Sequence, residues 1–132
     1  MFYEELTSGI LGAFYRVYNT LGHGFLEKVY RNALALELKR LGYLVETERG
    51  IQVIYLGTVV GEYSADILVN DLVILELKAA EALKAEHFAQ LTNYLKATQK
   101  ELGLLLNFGQ KPDFKRIFTN DKKTSLKSCL RE

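Results

Sequence analysis

The stretch Ser64-Ala65-Asp66-Ile67-Leu68-Val69-Asn70-Asp71-Leu72-Val73-Ile74-Leu75-Glu76-Leu77-Lys78 constrains this chain more than any other part of it. It reads as two apolar strands joined near Asn70-Asp71, with three charges set within the strands. Glu76 and Lys78 stand two apart, so on a strand they point to one side while Leu75 and Leu77 point to the other. Ions placed in a buried strand are costly unless each is paired or meets a metal. Two compensations are open. Glu76 pairs with Lys78 at a sheet edge while Asp66 finds solvent, or Asp66 and Glu76 share a hard cation with Lys78 beside it.

The turn supplies a test of register. A strict two-residue turn at Asn70-Asp71 sets Val69 opposite Leu72 and Asp66 opposite Leu75, which turns Asp66 away from Glu76. A three-residue connection, Asn70–Leu72, or a bulge sets Asp66 opposite Glu76 on one face. The shared-cation reading requires the second register.

The rest of the chain reads as an α/β sandwich with a mixed sheet. Apolar residues at Leu6, Ile10, Phe14, Val17 and Leu21 recur at helical steps over residues 4–21. Gly22-His23-Gly24 interrupts them, and a second helix is expected from about Phe25 to Leu41, stopped by Gly42. Tyr43–Glu48, Ile51–Tyr55, Val59–Val69 and Leu72–Lys78 read as successive antiparallel strands punctuated by Gly50, Gly57 and Asn70-Asp71. A third helix is expected over Ala82–Gln99. Leu102–Phe108 is an apolar run typical of a strand covered on both faces. Pro112 is assigned to a loop before a last strand, Phe114–Phe118, and the polar remainder from Thr119 to a fraying tail.

With 132 residues the chain has the size of one domain, taken as 1–132. Seventeen basic against sixteen acidic side chains leave no global field for nucleic acid, so phosphate binding requires a local patch or a metal. The single cysteine, Cys129, rules out an internal disulfide framework. No run approaches the ~20 apolar residues of a membrane span. The acidic start is unlike a secretory signal. A cytoplasmic protein is expected. Zinc is not, because His23 and His87 have no partners at suitable spacing.

Two helices carry further polar candidates. On the second, Glu27 lies nearly in line with Leu34 and Leu38, with Tyr30 close by; it could serve a site or simply favour the helix N-terminus. On the third, Gln90 and Tyr94 stand four apart on one face, with His87 a turn earlier. Lys84, Lys96, Lys100, Lys115 and Arg116 could form a phosphate track, although solvated faces look the same. Tyr55 and Tyr63 are read as packing residues, and Gly22-His23-Gly24 as a conformational device rather than an anion site.

Asp66, then Glu76-Leu77-Lys78, with Glu27 before and Gln90 and Tyr94 after, resembles the PD-(D/E)XK nuclease superfamily. Gly24-Phe25-Leu26-Glu27-Lys28-Val29-Tyr30 is similar to the pattern that names the GxxExxY protein family within it. The resemblance runs from about Leu21 to Ile117, and includes Leu104–Gly109 and the Lys115-Arg116 pair. Ala65 stands where the superfamily's naming proline would be.

The resemblance implies a restriction-endonuclease-like α-β-β-β-α-β core that hydrolyses phosphodiester bonds with Mg²⁺ or Mn²⁺, leaving a 5′-phosphate. It implies that Asp66 and Glu76 hold the metal with the Leu77 carbonyl. Lys78 would orient or deprotonate the attacking water, and Glu27 would coordinate through water or hold a second metal. Gln90 would correspond to the helix glutamine of the RecB-like branch, while Tyr94, Lys115 and Arg116 would contact nucleic acid, DNA ahead of RNA. The alternatives are a catalytically silent nuclease-fold module that binds nucleic acid or a protein partner, and a homodimer or obligate subunit with a large apolar patch.

Overall fold

The computed structural model describes residues 2–119; the tail beyond them, with Cys129, lies outside the described residues. Three helices and five strands follow one another: α1 (Phe2–Leu21), α2 (Glu27–Arg40), β1 (Val45–Tyr55), β2 (Thr58–Val69), β3 (Val73–Lys78), α3 (Ala85–Thr98), β4 (Leu102–Phe108) and β5 (Pro112–Phe118). The strands form one mixed sheet in the order β1-β2-β3-β4-β5, parallel only between β3 and β4. Helix α3 makes the crossover that a parallel pair requires. The expected α/β core with a mixed sheet flanked by helices is the observed one.

Two apolar layers sandwich the sheet. Leu6, Ile10 and Phe14 of α1 and Tyr30, Leu34 and Leu38 of α2 bury against Ile67, Val69, Leu75, Leu104 and Leu106 on one face. Leu91, Tyr94 and Leu95 of α3 bury against Ile51, Ala65, Leu68, Ile74 and Leu105 on the other. All seven residues of β4 are buried, the double coverage that its unbroken apolar run predicts. A Cβ added at Gly103 would lie 3.0 Å from the Leu91 side chain, so the glycine lets α3 approach the sheet closely.

The segment between α1 and α2 is held by a tyrosine. Gly22 and Gly24 both have positive φ, 71° and 114°, which a side chain resists. The buried Tyr30 hydroxyl donates to the Gly22 carbonyl and accepts the Phe25 N–H at 3.1 Å. Its ring stacks on Phe108 with centroids 4.2 Å apart. Conformation is therefore the visible role of Gly22-His23-Gly24, and Tyr30 sets where α2 begins. At the other end of α2, Gly42 donates to the Lys39 carbonyl and Tyr43 to the Leu38 carbonyl, as in a Schellman stop.

Several expected boundaries move. Tyr43–Glu48 and Ile51–Tyr55 are one strand, because Gly50 pairs regularly with Ser64. The register shifts instead between Val53 and Ile54, and Glu48 takes a left-handed φ of +53° without shifting it. Pro112 opens β5 opposite Phe108 and lies at the first position of an edge strand, where its missing N–H removes no ladder bond. Helix α3 starts at Ala85, three residues later than expected, where the His87 ring accepts the Lys84 N–H at 3.0 Å and so closes the first turn. Past Ile51 the β1–β2 hairpin leaves the core, and Ile54, Tyr55, Leu56 and Val60 at its end are exposed. Tyr55 is thus not the packing residue it was expected to be. Among the described residues no helix is long and apolar enough to cross a membrane.

Candidate active site

Strands β2 and β3 meet through a three-residue connection. Val69 faces Val73, Leu68 faces Ile74 and Ile67 faces Leu75, which continues to Asp66 opposite Glu76. Asn70 and Asp71 both take left-handed φ, and Leu72 completes the connection. This is the register that a shared site needs.

The ladder then stops. Beyond Ile67 and Leu75 no regular pair follows, and two carboxylates bridge the parting strands. Asp66 Oδ2 accepts the Leu77 N–H at 2.8 Å, and Glu76 Oε2 accepts the Asp66 N–H at 3.1 Å. At the same level the side-chain alternation of β2 slips. Ile67 packs towards α1 and α2, whereas Ala65, two residues earlier, packs on the α3 side. Glu48, with its left-handed φ, lies across from this slip, between the Thr47–Ile67 and Arg49–Ala65 pairs. The gap allows groups from helices on both sheet faces to approach one place.

Lys78, the last residue of β3, donates from Nζ to Gln90 Oε1 at 3.4 Å, and Gln90 Nε2 donates to the Tyr94 hydroxyl at 3.1 Å. Tyr94 is buried and its ring lies 5.6 Å from that of Tyr63. No ion pair within 4 Å joins Lys78 to either carboxylate among the described residues. Strand β3 is also central, not an edge. The Glu76–Lys78 edge pair, one of the two compensations open in the sequence, is absent.

Glu76 is 5% exposed. Burial pushes its carboxyl up to about 8, and the Asp66 and Glu27 charges add to the shift; the Asp66 N–H and Lys78 oppose it without offsetting it. The Asp66 carboxyl is raised too, chiefly by burial, with Glu27 adding and the Leu77 N–H, Arg31 and Lys78 opposing. Tyr94 is raised by its own burial and then by Glu76. Two acidic groups are thus held side by side where both resist ionisation, an arrangement found at functional sites.

A sequence profile of the PD-(D/E)XK nuclease superfamily matches residues 4–117. The chain belongs to this superfamily. No curated protein matches the sequence significantly. Among solved structures, it is similar to SSO0001, with 23% identity, a TM-score of 0.55, and coverage of 74% of this chain and 52% of that one. It is similar also to the alkaline exonuclease LHK-Exo from Laribacter hongkongensis, with 17% identity, a TM-score of 0.54, and coverage of 74% and 58%. At these identities the likeness concerns the fold. The chain spans little more than half the length of these two structures.

The donor set suits a hard cation. The candidate oxygens are those of Asp66 and Glu76 and the backbone carbonyl of Leu77, and Mg²⁺ takes one or two carboxylates plus waters and substrate phosphate. A cation there would favour the ionised forms that desolvation disfavours at both carboxyls. Among the described residues no group of three or more His, Cys, Asp or Glu side chains is close enough to hold a metal. Glu27 is exposed, and it is the first residue of α2 rather than a residue one turn in. Tyr30 fixes that helix start, and Glu27 still acts electrostatically on both Asp66 and Glu76. Its place at the helix N-terminus satisfies the dipole as well.

Lys115 and Arg116 do not act as a pair. Lys115 lies opposite Leu105, on the α3 face, and Arg116 opposite Leu104, on the other. Strand alternation separates them, so at most Lys115 shares the face of Glu76. Lys100 is drawn to Asp71 at 3.2 Å, away from any phosphate track.

Three contributors have no clear mark in the sequence. Arg31, one turn after Glu27, opposes the Asp66 shift and lies 3.5 Å from Glu48; its spacing from Glu27 is the one available signal. Tyr63, expected to pack, is half-exposed against Tyr94. Asn107 is buried, and its amide donates to the Ala80 carbonyl and accepts the Ala80 N–H, both at 2.9 Å. A Cβ on Gly109 would come within 2.5 Å of that carbonyl. Together they hold the exit of β3 just past Lys78. Asn107→Ala is expected to lower stability by ~1–3 kcal/mol, because it strips two partly buried backbone groups of their partners. Urea unfolding measures this; an unchanged midpoint would show that the clamp is dispensable.

Proposed function

We propose that this protein is a divalent-metal-dependent nuclease of the GxxExxY type, working as one domain and hydrolysing phosphodiester bonds in nucleic acid, DNA ahead of RNA. The observation that carries the reading is a pair of carboxylates, the buried Glu76 and the half-buried Asp66, bridging parted strands with no cationic side chain in ion-pair contact among the described residues. A shared cation is the compensation that their burial calls for.

In this reading Asp66, Glu76 and the Leu77 carbonyl hold Mg²⁺ or Mn²⁺. When bound, the cation supplies Lewis acidity towards a phosphoryl oxygen and a readily ionised water. Lys78 orients the attacking water and offsets negative charge growing on phosphorus. Gln90 holds the Lys78 ammonium, and Tyr94 holds the Gln90 amide, so the lysine reaches the phosphate already oriented. Glu27 acts through water or on a second ion.

Purified protein incubated with labelled single- and double-stranded DNA and RNA tests the proposal. Cleavage is expected in Mg²⁺ or Mn²⁺ and not in EDTA. Lys78→Ala is expected to slow it by ~10²–10³-fold, the usual effect of removing one group that stabilises developing charge. Metal-dependent cleavage undiminished in Asp66→Ala and Lys78→Ala would overturn the site. Binding without any cleavage would favour the silent module. The exposed apolar end of the β1–β2 hairpin fits the homodimer or subunit alternative, which the molar mass of the purified chain tests.

A further inference from the structure

A cleft of about 790 Å³ opens beside the candidate centre, between α3 and the outer part of the β1–β2 hairpin. Its lining includes Gln90, which bonds Lys78, and Tyr94, which bonds Gln90, so the cleft adjoins the centre through these two side chains. Tyr63 projects into it from β2, 52% exposed, with its ring 5.6 Å from that of Tyr94 and tilted by 42°. The amides of Gln52 and Asn93 line the same space. Amides offer donors and acceptors together and so meet base edges of either kind.

We infer that this cleft receives unpaired nucleotides of a single strand, with a base stacking on Tyr63, and feeds the adjoining phosphodiester to the candidate centre. Delivery to the centre rests on the nuclease reading, whereas binding in the cleft does not require cleavage. Clefts of ~300–1,000 Å³ hold compact ligands, which admits a few unstacked nucleotides and no duplex. Charge points the same way. The lining holds one carboxylate, Glu86, and one ammonium, Lys96, so it has no electrostatic track for phosphates. Affinity must then come from stacking, which is tolerant of sequence because every base has a π-face. Low net charge also predicts a shallow dependence on salt, unlike the steep slope of a protein that neutralises many phosphates.

Fluorescence anisotropy with labelled oligothymidine and a matched duplex, in Ca²⁺ or EDTA so that cutting does not interfere, tests the inference. The single strand is expected to bind more tightly than the duplex. Tyr63→Ala should weaken it by roughly 5- to 100-fold, the range set by the loss of one base–aromatic stack, and Tyr63→Phe should retain it. A second measurement does not depend on the alanine variant. The chain has no tryptophan, so Tyr63→Trp introduces a single indole, whose fluorescence should be quenched as oligothymidine saturates the site. Equal binding by Tyr63→Ala, an indole blind to oligothymidine, a preference for duplex, or no binding at all would each overturn the cleft assignment. The cleavage assay run in parallel keeps the two readings apart. Metal-dependent cutting with Tyr63 indifferent leaves the nuclease standing and removes the cleft, whereas stacking-dependent binding without cutting does the reverse.

Discussion

Glu76→Gln is expected to raise the melting temperature of the metal-free protein near neutral pH and, in the same molecule, to abolish metal-dependent cleavage. Glutamine keeps the oxygen that accepts the Asp66 N–H and adds an amide that can donate to the Asp66 carboxylate. It removes a carboxyl that must take up a proton to be buried near neutral pH. A gain of ~2 kcal/mol corresponds to roughly 5–10 °C for a domain of this size. Cleavage should fall at least ~10³-fold, because the neutral side chain is a poor ligand for a hard cation. Differential scanning fluorimetry in EDTA and the oligonucleotide assay read the two effects. A variant that is less stable than the parent yet still cuts would show that Glu76 is a structural residue. Stability gained by disarming a strained group is the expected exchange at an active site.

The second large effect concerns pH. The Glu76 carboxyl is raised from 4.5 to about 8 in the fold, so the folded chain binds a proton that the unfolded chain has released. Its contribution to stability is complete below about 4.5 and is lost as pH climbs towards 8. The raised Asp66 carboxyl acts in the same direction. The metal-free protein should therefore lose several degrees of melting temperature between about pH 5 and pH 8.5, each tenfold change in proton affinity being worth at most ~1.4 kcal/mol. Divalent cations should behave oppositely. They compete with the protons on these carboxylates, so the stabilisation by Mg²⁺ or Mn²⁺ should be small near pH 5 and grow through about pH 8. Melting curves in EDTA and in metal across this range decide it. A flat metal-free profile, or a metal effect as large at the acid end as at the alkaline end, would remove Asp66 and Glu76 as shared ligands. In Glu76→Gln both dependences should be much reduced.

The hairpin shows how far local information reaches. Parity along a strand and the length of one turn show that a shared site needs the connection Asn70–Leu72 or a bulge, and the observed pairing of Ile67 with Leu75 has the register of that connection. The seven apolar residues of β4 and the periodicities of α1, α2 and α3 are equally legible, since each is a property of a short contiguous run. The same parity rule, applied to Lys115-Arg116, shows that neighbours on β5 face opposite ways. Gly50 misleads for the converse reason. Glycine is merely disfavoured in strands, and here the surrounding ladder outweighs that preference.

The amino-acid order alone determined the layers and the mixed sheet and narrowed the Asp66 register to two choices, because side-chain period and turn length depend on a few adjacent residues. Only the tertiary structure decided that β2 and β3 part at that level, that Glu27 stands exposed at a helix start set by Tyr30, and that Gln90 and Tyr94 reach Lys78 through the opposite face. Those outcomes depend on how distant elements cross and pack. No window of sequence contains the angle between a strand and a helix that join only in the folded core.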